Sequence, residues 1–204
     1  MQAALVSLWF IIAVSAAQTG SIAVGDSSLP MLSIGSETPV YFVVRTLGDQ
    51  RYFLRDECGP PRRRQKLISR SPRPVVTSFF ATYCEPCKEE IPHLERLSQK
   101  WGDSVSFLLV DFREPERVVE SFVDSIGTSI TILIDRYGKA AERFLVNVIP
   151  TLVILDHCGY LALYQRGQAD DMDSFFADMD RMLEGLVARS RSDQEQALCP
   201  WVKN

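Results

Sequence analysis

The chain carries no nucleotide, flavin or metal motif and no internal repeat, and its formal net charge of −4 leaves no basic field over the molecule as a whole. Cofactor-driven chemistry, a repeat architecture and a nucleic-acid footprint are therefore not where it points. Long apolar runs are scarce too. The one at the start is centred on residues 5–14, has no Lys or Arg ahead of it, and ends in Ser15-Ala16-Ala17 before Gln18. As a helix its seventeen residues reach about 25 Å, short of the roughly 30 Å hydrocarbon core. Residues 1–17 therefore read as a secretory signal peptide, with an uncleaved N-terminal anchor as the alternative. No cysteine follows the run, which argues against a lipoprotein, and no other stretch is long or apolar enough to cross a membrane. The expected location is extracytoplasmic, the periplasm in a bacterial cell.

What remains is enough for one domain with a sizeable core plus irregular ends. Residues 18–36, rich in Ser and Gly, are expected to form a flexible leader, residues 37–187 the domain, and residues 188–204 a polar tail. Two strand-like runs, 40–45 and 51–55, flank Leu47-Gly48-Asp49-Gln50 and suggest a hairpin. The basic cluster Arg62-Arg63-Arg64 with Lys66 lies between Gly59-Pro60-Pro61 and Ser71-Pro72-Arg73-Pro74. It reads as a solvated loop, with a docking patch for an acidic partner or anionic lipid as the alternative.

The chain is organised around residues 75–92, VVTSFFATYCEPCKEEIP. Residues 75–81 are β-branched and aromatic, as a buried strand should be, while Lys88, Glu89, Glu90, His93, Leu94 and Leu97 suit a helix with one wet face. Cys84 and Cys87 thus stand where a strand feeds a helix. The first-turn amides and the helix dipole favour a negative sulfur at Cys84 and so raise its thiolate fraction. Cys87, one turn deeper, can attack a mixed disulfide held on Cys84, close the ring and release the partner. Pro86 is compatible with a helical first turn, where no intrahelical amide bond is lost. Glu85 puts a carboxylate between the sulfurs, which opposes the dipole and moderates the acidity of Cys84.

A lone CxxC is weak, since half a zinc site has the same spacing. Here Val148-Ile149-Pro150-Thr151 supplies a second element, with Pro150 63 residues after Cys87. The segment from Phe80 to Pro92, with this proline loop, resembles the active site of the thioredoxin superfamily and is similar to its extracytoplasmic TlpA/ResA-type branch. The resemblance covers roughly residues 40–185. It implies an α/β thioredoxin-like fold, a central mixed sheet flanked by helices, with an N-terminal β-hairpin extension. It also implies a cis-proline at Pro150 that exposes the backbone of Ile149 to a partner peptide, with Tyr83 beside it in substrate binding. Glu90 matches the branch's acidic residue near the sulfurs and is expected to relay protons, whereas Ser78 stands where many thioredoxins keep a buried acid. The connection at 56–74 departs from the branch in being longer and more basic.

Later in the chain, residues 105–112 read as a buried parallel strand, 114–126 as a helix, 130–134 as a strand, 140–146 as a short helix, 151–155 and 160–166 as a hairpin, and 170–187 as the closing helix. The activity implied is thiol:disulfide oxidoreduction in which the cysteine pair is itself the redox centre, with no added cofactor and no metal. The partners implied are protein thiols or disulfides and a membrane electron donor, the chain acting as a monomer. Glu85 and the apolar Ile149 lean towards a reductant, for example in cytochrome c maturation. A disulfide oxidant or isomerase, a redox-inert peptide-binding module, and a metal module using Cys84, Cys87 and one or two of His157, Cys158 and Cys199 are the alternatives. Cys58, Cys158 and Cys199 lie outside the motif, and topology sends all three towards the pole opposite Cys84. Three pairings are open, and Cys158 is expected in a structural disulfide remote from Cys84.

Overall fold

A computed structural model describes residues 32–36, 38, 40, 43–59, 71–196 and 199. The segment read as a signal peptide and the basic cluster at 62–66 lie outside these residues. In chain order the elements are β1 (Val43–Thr46), β2 (Arg51–Phe53), a 3₁₀ turn (Leu54–Asp56), β3 (Val75–Phe80), α1 (Glu85–Trp101), β4 (Ser106–Phe112), α2 (Glu116–Ile126), β5 (Thr131–Asp135), α3 (Lys139–Arg143), β6 (Thr151–Leu155), β7 (Leu161–Arg166) and α4 (Met172–Gln196). The strands form one mixed sheet in the order β2-β1-β5-β4-β3-β6-β7. Its centre, β5-β4-β3, is parallel, and the outer strands are antiparallel to their neighbours.

β3 is buried along its whole length, so its two alternating faces serve two cores. Val76 and Phe80 join Leu109, Leu152 and Ile154 under α1 and α4, where Ile91, Leu94, Leu97, Met179 and Leu183 complete the layer. Val75 and Phe79 face the other way, onto Leu108, Val110, Val153 and Leu155, with Phe144 and Ala140 closing that side. Phe176, Met179 and Leu183 of α4 are accordingly buried in this layer. Trp101 Nε1 donates to Asp180 Oδ1 at 2.7 Å and ties the end of α1 to α4. The Phe79–Thr151 pairing places Pro150 at the end of the sheet where β3 runs into the cysteines. The Val75–Leu155 pairing places the β6–β7 turn at the other end.

Three sequence boundaries are corrected. The expected flexible leader at 18–36 is attached at its end: Gly35 N donates to Leu161 O at 2.7 Å, Leu161 N to Ser36 O at 3.0 Å, and Leu32 packs on the second core. The tail expected from residue 188 instead continues α4 to Gln196, because no Gly or Pro interrupts 188–196 and buried Ser190 bonds the Pro72 carbonyl. The helix expected from residue 114 starts after Pro115, which steers the residue before it away from helical dihedrals.

At the far pole Cys158 is bonded to Cys199, with Cα atoms 5.7 Å apart, and Cys58 is a buried free thiol. Gly159 in this turn has φ 87°, and a Cβ there would stand 3.3 Å from the Cα of Gly59. A side chain at that point would be strained by the left-handed backbone and crowded by Gly59. The disulfide closes a separation of 41 residues, for which chain entropy gives an upper figure of about 4 kcal/mol. Cys199→Ser is therefore expected to lower the denaturant midpoint by the equivalent of about 2–4 kcal/mol, and an unchanged midpoint would show that the bond closes nothing the fold needs.

Candidate active site

The sequence turns from strand to helix within five residues. β3 ends at Phe80, Cys84 N donates to Ala81 O at 3.1 Å, and Cys84 becomes the N-cap of α1 in an extended conformation. Its sulfur takes the place of a capping oxygen, accepting the Cys87 amide at 3.3 Å. Cys84 and Cys87 form a disulfide with Cα atoms 5.3 Å apart. Cys84 is 7% exposed and Cys87 1%, so an incoming sulfur meets Cys84 first. Pro86 occupies the first turn, and Pro92 lies inside the helix without ending it. Glu85 is exposed and paired with Lys88 at 2.6 Å, an arrangement in which solvent and the ammonium offset much of its field on the sulfurs.

One turn beyond Cys87, Glu90 is 4% exposed. Burial pushes its carboxyl up to about 7, opposed by the Ser78 hydroxyl, which donates to Glu90 Oε1 at 2.7 Å. The two positions that the sequence suggested as alternatives for one buried acid are thus in direct contact. A carboxyl that titrates near neutrality inside the same helical face as the deeper sulfur is able to take and return a proton.

Glu114 is a residue that sequence reasoning missed. Released from α2 by Pro115, it accepts from Thr82 N at 2.6 Å and Thr82 Oγ1 at 2.7 Å. It thereby clamps the loop two residues before Cys84. Its own amide donates to Asp111 at 3.1 Å. Asp111 is fully buried, and burial pushes it up to about 7 against that bond. The available signal was the Glu-Pro pair directly after a buried strand, which excludes Glu114 from the helix and leaves its side chain for another purpose.

The thioredoxin family model matches residues 62–131. The thiol-disulfide oxidoreductase ResA of Halalkalibacterium halodurans is 27% identical over 150 residues, covering 72% of this chain and 78% of the relative. ResA of Geobacillus thermodenitrificans is 32% identical over 131 residues, 63% of this chain and 66% of its own length. In structure, a putative thiol:disulfide interchange protein DsbE from Chlorobium tepidum superposes with a TM-score of 0.60 at 19% identity, covering 78% of this chain and 98% of the neighbour. That last likeness speaks for the fold alone. Residues 62–131 thus match the thioredoxin family, and the chain has a thioredoxin-like fold.

In this thioredoxin-like protein the remaining residues of the expected site gather at the same end of the sheet. Tyr83 is 68% exposed beside the cysteine loop. The Ile149–Pro150 peptide is cis, Ile149 is half-buried between the two cores, and Pro150 O accepts from Gly167 N at 2.7 Å. His93 is occupied otherwise, stacked on Phe176 at 4.7 Å with its Nδ1 against Arg96. The metal alternative does not draw on both poles, because β6 separates Cys84 and Cys87 from His157, Cys158 and Cys199.

The Glu90 shift has a definite sign. The unfolded carboxyl releases its proton near 4.5 and the folded one near 7, so the native state binds more protons in between and stability falls as pH rises through that window. Glu90→Gln should remove the fall, becoming more stable than the parent above pH 7 by at most about 3 kcal/mol. A parent-minus-variant difference that is flat from pH 4.5 to 7.5 in denaturant titrations would show that Glu90 ionises normally. Glu114→Ala leaves the Thr82 amide unpaired and should cost roughly 1–3 kcal/mol, with Glu114→Gln recovering part of it in the same titrations.

Proposed function

We infer that this thiol:disulfide oxidoreductase of the ResA-like kind works outside the cytoplasm as a reductant of protein disulfides. The observation that carries the reading is the Cys84–Cys87 pair at the start of α1, with the buried carboxyl of Glu90 behind it. In the reduced protein the Cys84 thiolate attacks one sulfur of a partner disulfide. A new S–S bond forms to Cys84, and the partner's other sulfur leaves as a thiolate and takes a proton. Glu90 accepts the proton of Cys87, whose thiolate then attacks Cys84 Sγ, breaks the mixed disulfide and expels the partner's second thiolate. Two electrons have passed to the partner and the Cys84–Cys87 disulfide remains. A membrane electron donor restores the dithiol.

Tyr83 and the backbone at Ile149 flank the sulfurs and receive the partner as an extended segment. The direction of transfer is supported by the acidic Glu85 in the loop and the apolar Ile149 before the proline. Partners of the kind handled in cytochrome c maturation fit this reading, and export through the N-terminal segment supplies the compartment. The alternative direction, a disulfide oxidant, shares the site and differs only in poise.

Cys87→Ser should accumulate partners as mixed disulfides on Cys84, while Cys84→Ser should trap none and lose all dithiol-dependent reduction of insulin. Activity retained by Cys84→Ser would reverse the two roles. Equilibration with a thiol buffer should place the pair at about −270 mV, in the thioredoxin range. A potential above about −150 mV, approaching the roughly −120 mV of a strong oxidant, would overturn the direction of transfer.

A further inference from the structure

The pole opposite the active site holds chemistry that thiol exchange at Cys84 does not use. His157, Cys158 and Cys199 are all buried, and their donor atoms lie within 4.8 Å of one another. Among the described residues this is the one such convergent group of metal-ligating side chains. His157 Nε2 stands 3.3 Å from Cys158 Sγ. A disulfide makes no use of an imidazole at its sulfur, whereas two thiols beside an imidazole are a familiar metal-ligand set. We propose that His157, Cys158 and Cys199 form a redox-gated site for a thiophilic d¹⁰ metal ion, closed when Cys158–Cys199 is a disulfide and open when it is a dithiol.

The turn that carries two of the donors is held by bonds that do not depend on the disulfide. Cys158 N and Tyr160 N both donate to Asp156 Oδ1, at 2.9 and 2.8 Å. Gly59 N donates to His157 O at 3.0 Å, and Thr38 Oγ1 to Gly159 O at 2.6 Å. Reduction therefore frees the sulfurs without releasing the loop. Metal–sulfur bonds of about 2.3 Å and metal–nitrogen bonds of about 2.0 Å, tetrahedrally arranged, set donors about 3.5–3.8 Å apart. The three donors, all within 4.8 Å of one another, stand about 1 Å from that spacing.

The electron and proton count closes. An external dithiol gives two electrons and two protons to the Cys158–Cys199 bond, becoming a disulfide itself, and leaves two thiols. Zn²⁺ then displaces both thiol protons, so that two thiolates and one neutral imidazole make an uncharged buried complex. Neutrality matters here, because either thiolate alone would be a buried unpaired charge. Two sulfurs with one imidazole suit Zn²⁺, which displaces both thiol protons, and Cu⁺, which displaces one and leaves the complex likewise uncharged; they exclude Mg²⁺ and Ca²⁺.

The test uses the full chain with Cys84→Ser and Cys87→Ser, so that the active-site pair contributes no ligands. After reduction by a dithiol and desalting under nitrogen, it should bind one equivalent of Zn²⁺ or of Cu⁺, titrated separately, and none after air oxidation. Further substitution by Cys199→Ser or His157→Ala should weaken binding by more than about ten-fold, the loss that even an outer-shell change produces. In the unsubstituted protein, which carries no folding risk, the bound ion should slow alkylation of Cys158 and Cys199 as read by mass mapping. Failure of the reduced protein to bind either ion, equal binding by the oxidised form, or unprotected Cys158 and Cys199 would each overturn the site.

Discussion

The Cys87 amide pointing at the Cys84 sulfur is the contact on which the site depends. It makes a redox atom serve as a helix cap, so the electrostatics that start α1 are the same that favour a thiolate at Cys84. The contact exists because β3 is buried on both faces and delivers the chain to the edge of the sheet at a fixed height. Helix α1 is pinned above by Ile91, Leu94 and Leu97. A looser strand or a helix packed elsewhere would leave the two cysteines as ordinary thiols at i and i+3.

Around that contact the fold places acids in three different environments. Glu85 is exposed and paired with Lys88, so its field on the sulfurs is weak. Glu90 is sealed beneath the helix with the Ser78 hydroxyl as its hydrogen-bond partner among the described residues, so its neutral form competes with its charged one near physiological pH. Glu114 is intermediate: its charge is spent on two donors of Thr82, and it holds the loop. Three carboxylates within one site thereby have three different tasks, decided by desolvation and hydrogen bonding and not by residue type.

The opposite pole is built on another balance. There the cysteines lie in a turn whose geometry is set by Asp156, Gly159 and the neighbouring backbone of Gly59. The Cys158–Cys199 bond fastens the end of the chain to that turn. Separation of the two poles by the length of β6 keeps the sulfurs of one from exchanging with those of the other within a single molecule.

Residue pattern alone determined the strand-to-helix placement of Cys84 and Cys87, and the resemblance carried by that segment and the loop at Pro150 implied the thioredoxin-like class. These are periodic or local signals, written in residues that touch one another along the chain. It also determined that Cys158, Cys199 and Cys58 share a pole, since strand direction follows from connectivity. Only the tertiary structure decided which two of the three are bonded, because pairing depends on ångström-scale approach between segments far apart in sequence. Only it decided that Ser78 and Glu90 meet, and that Glu114 leaves its helix to bind Thr82. Each of those contacts joins residues on different elements, and the energy that selects it, the cost of burying a polar group without a partner, exists only once the elements have packed.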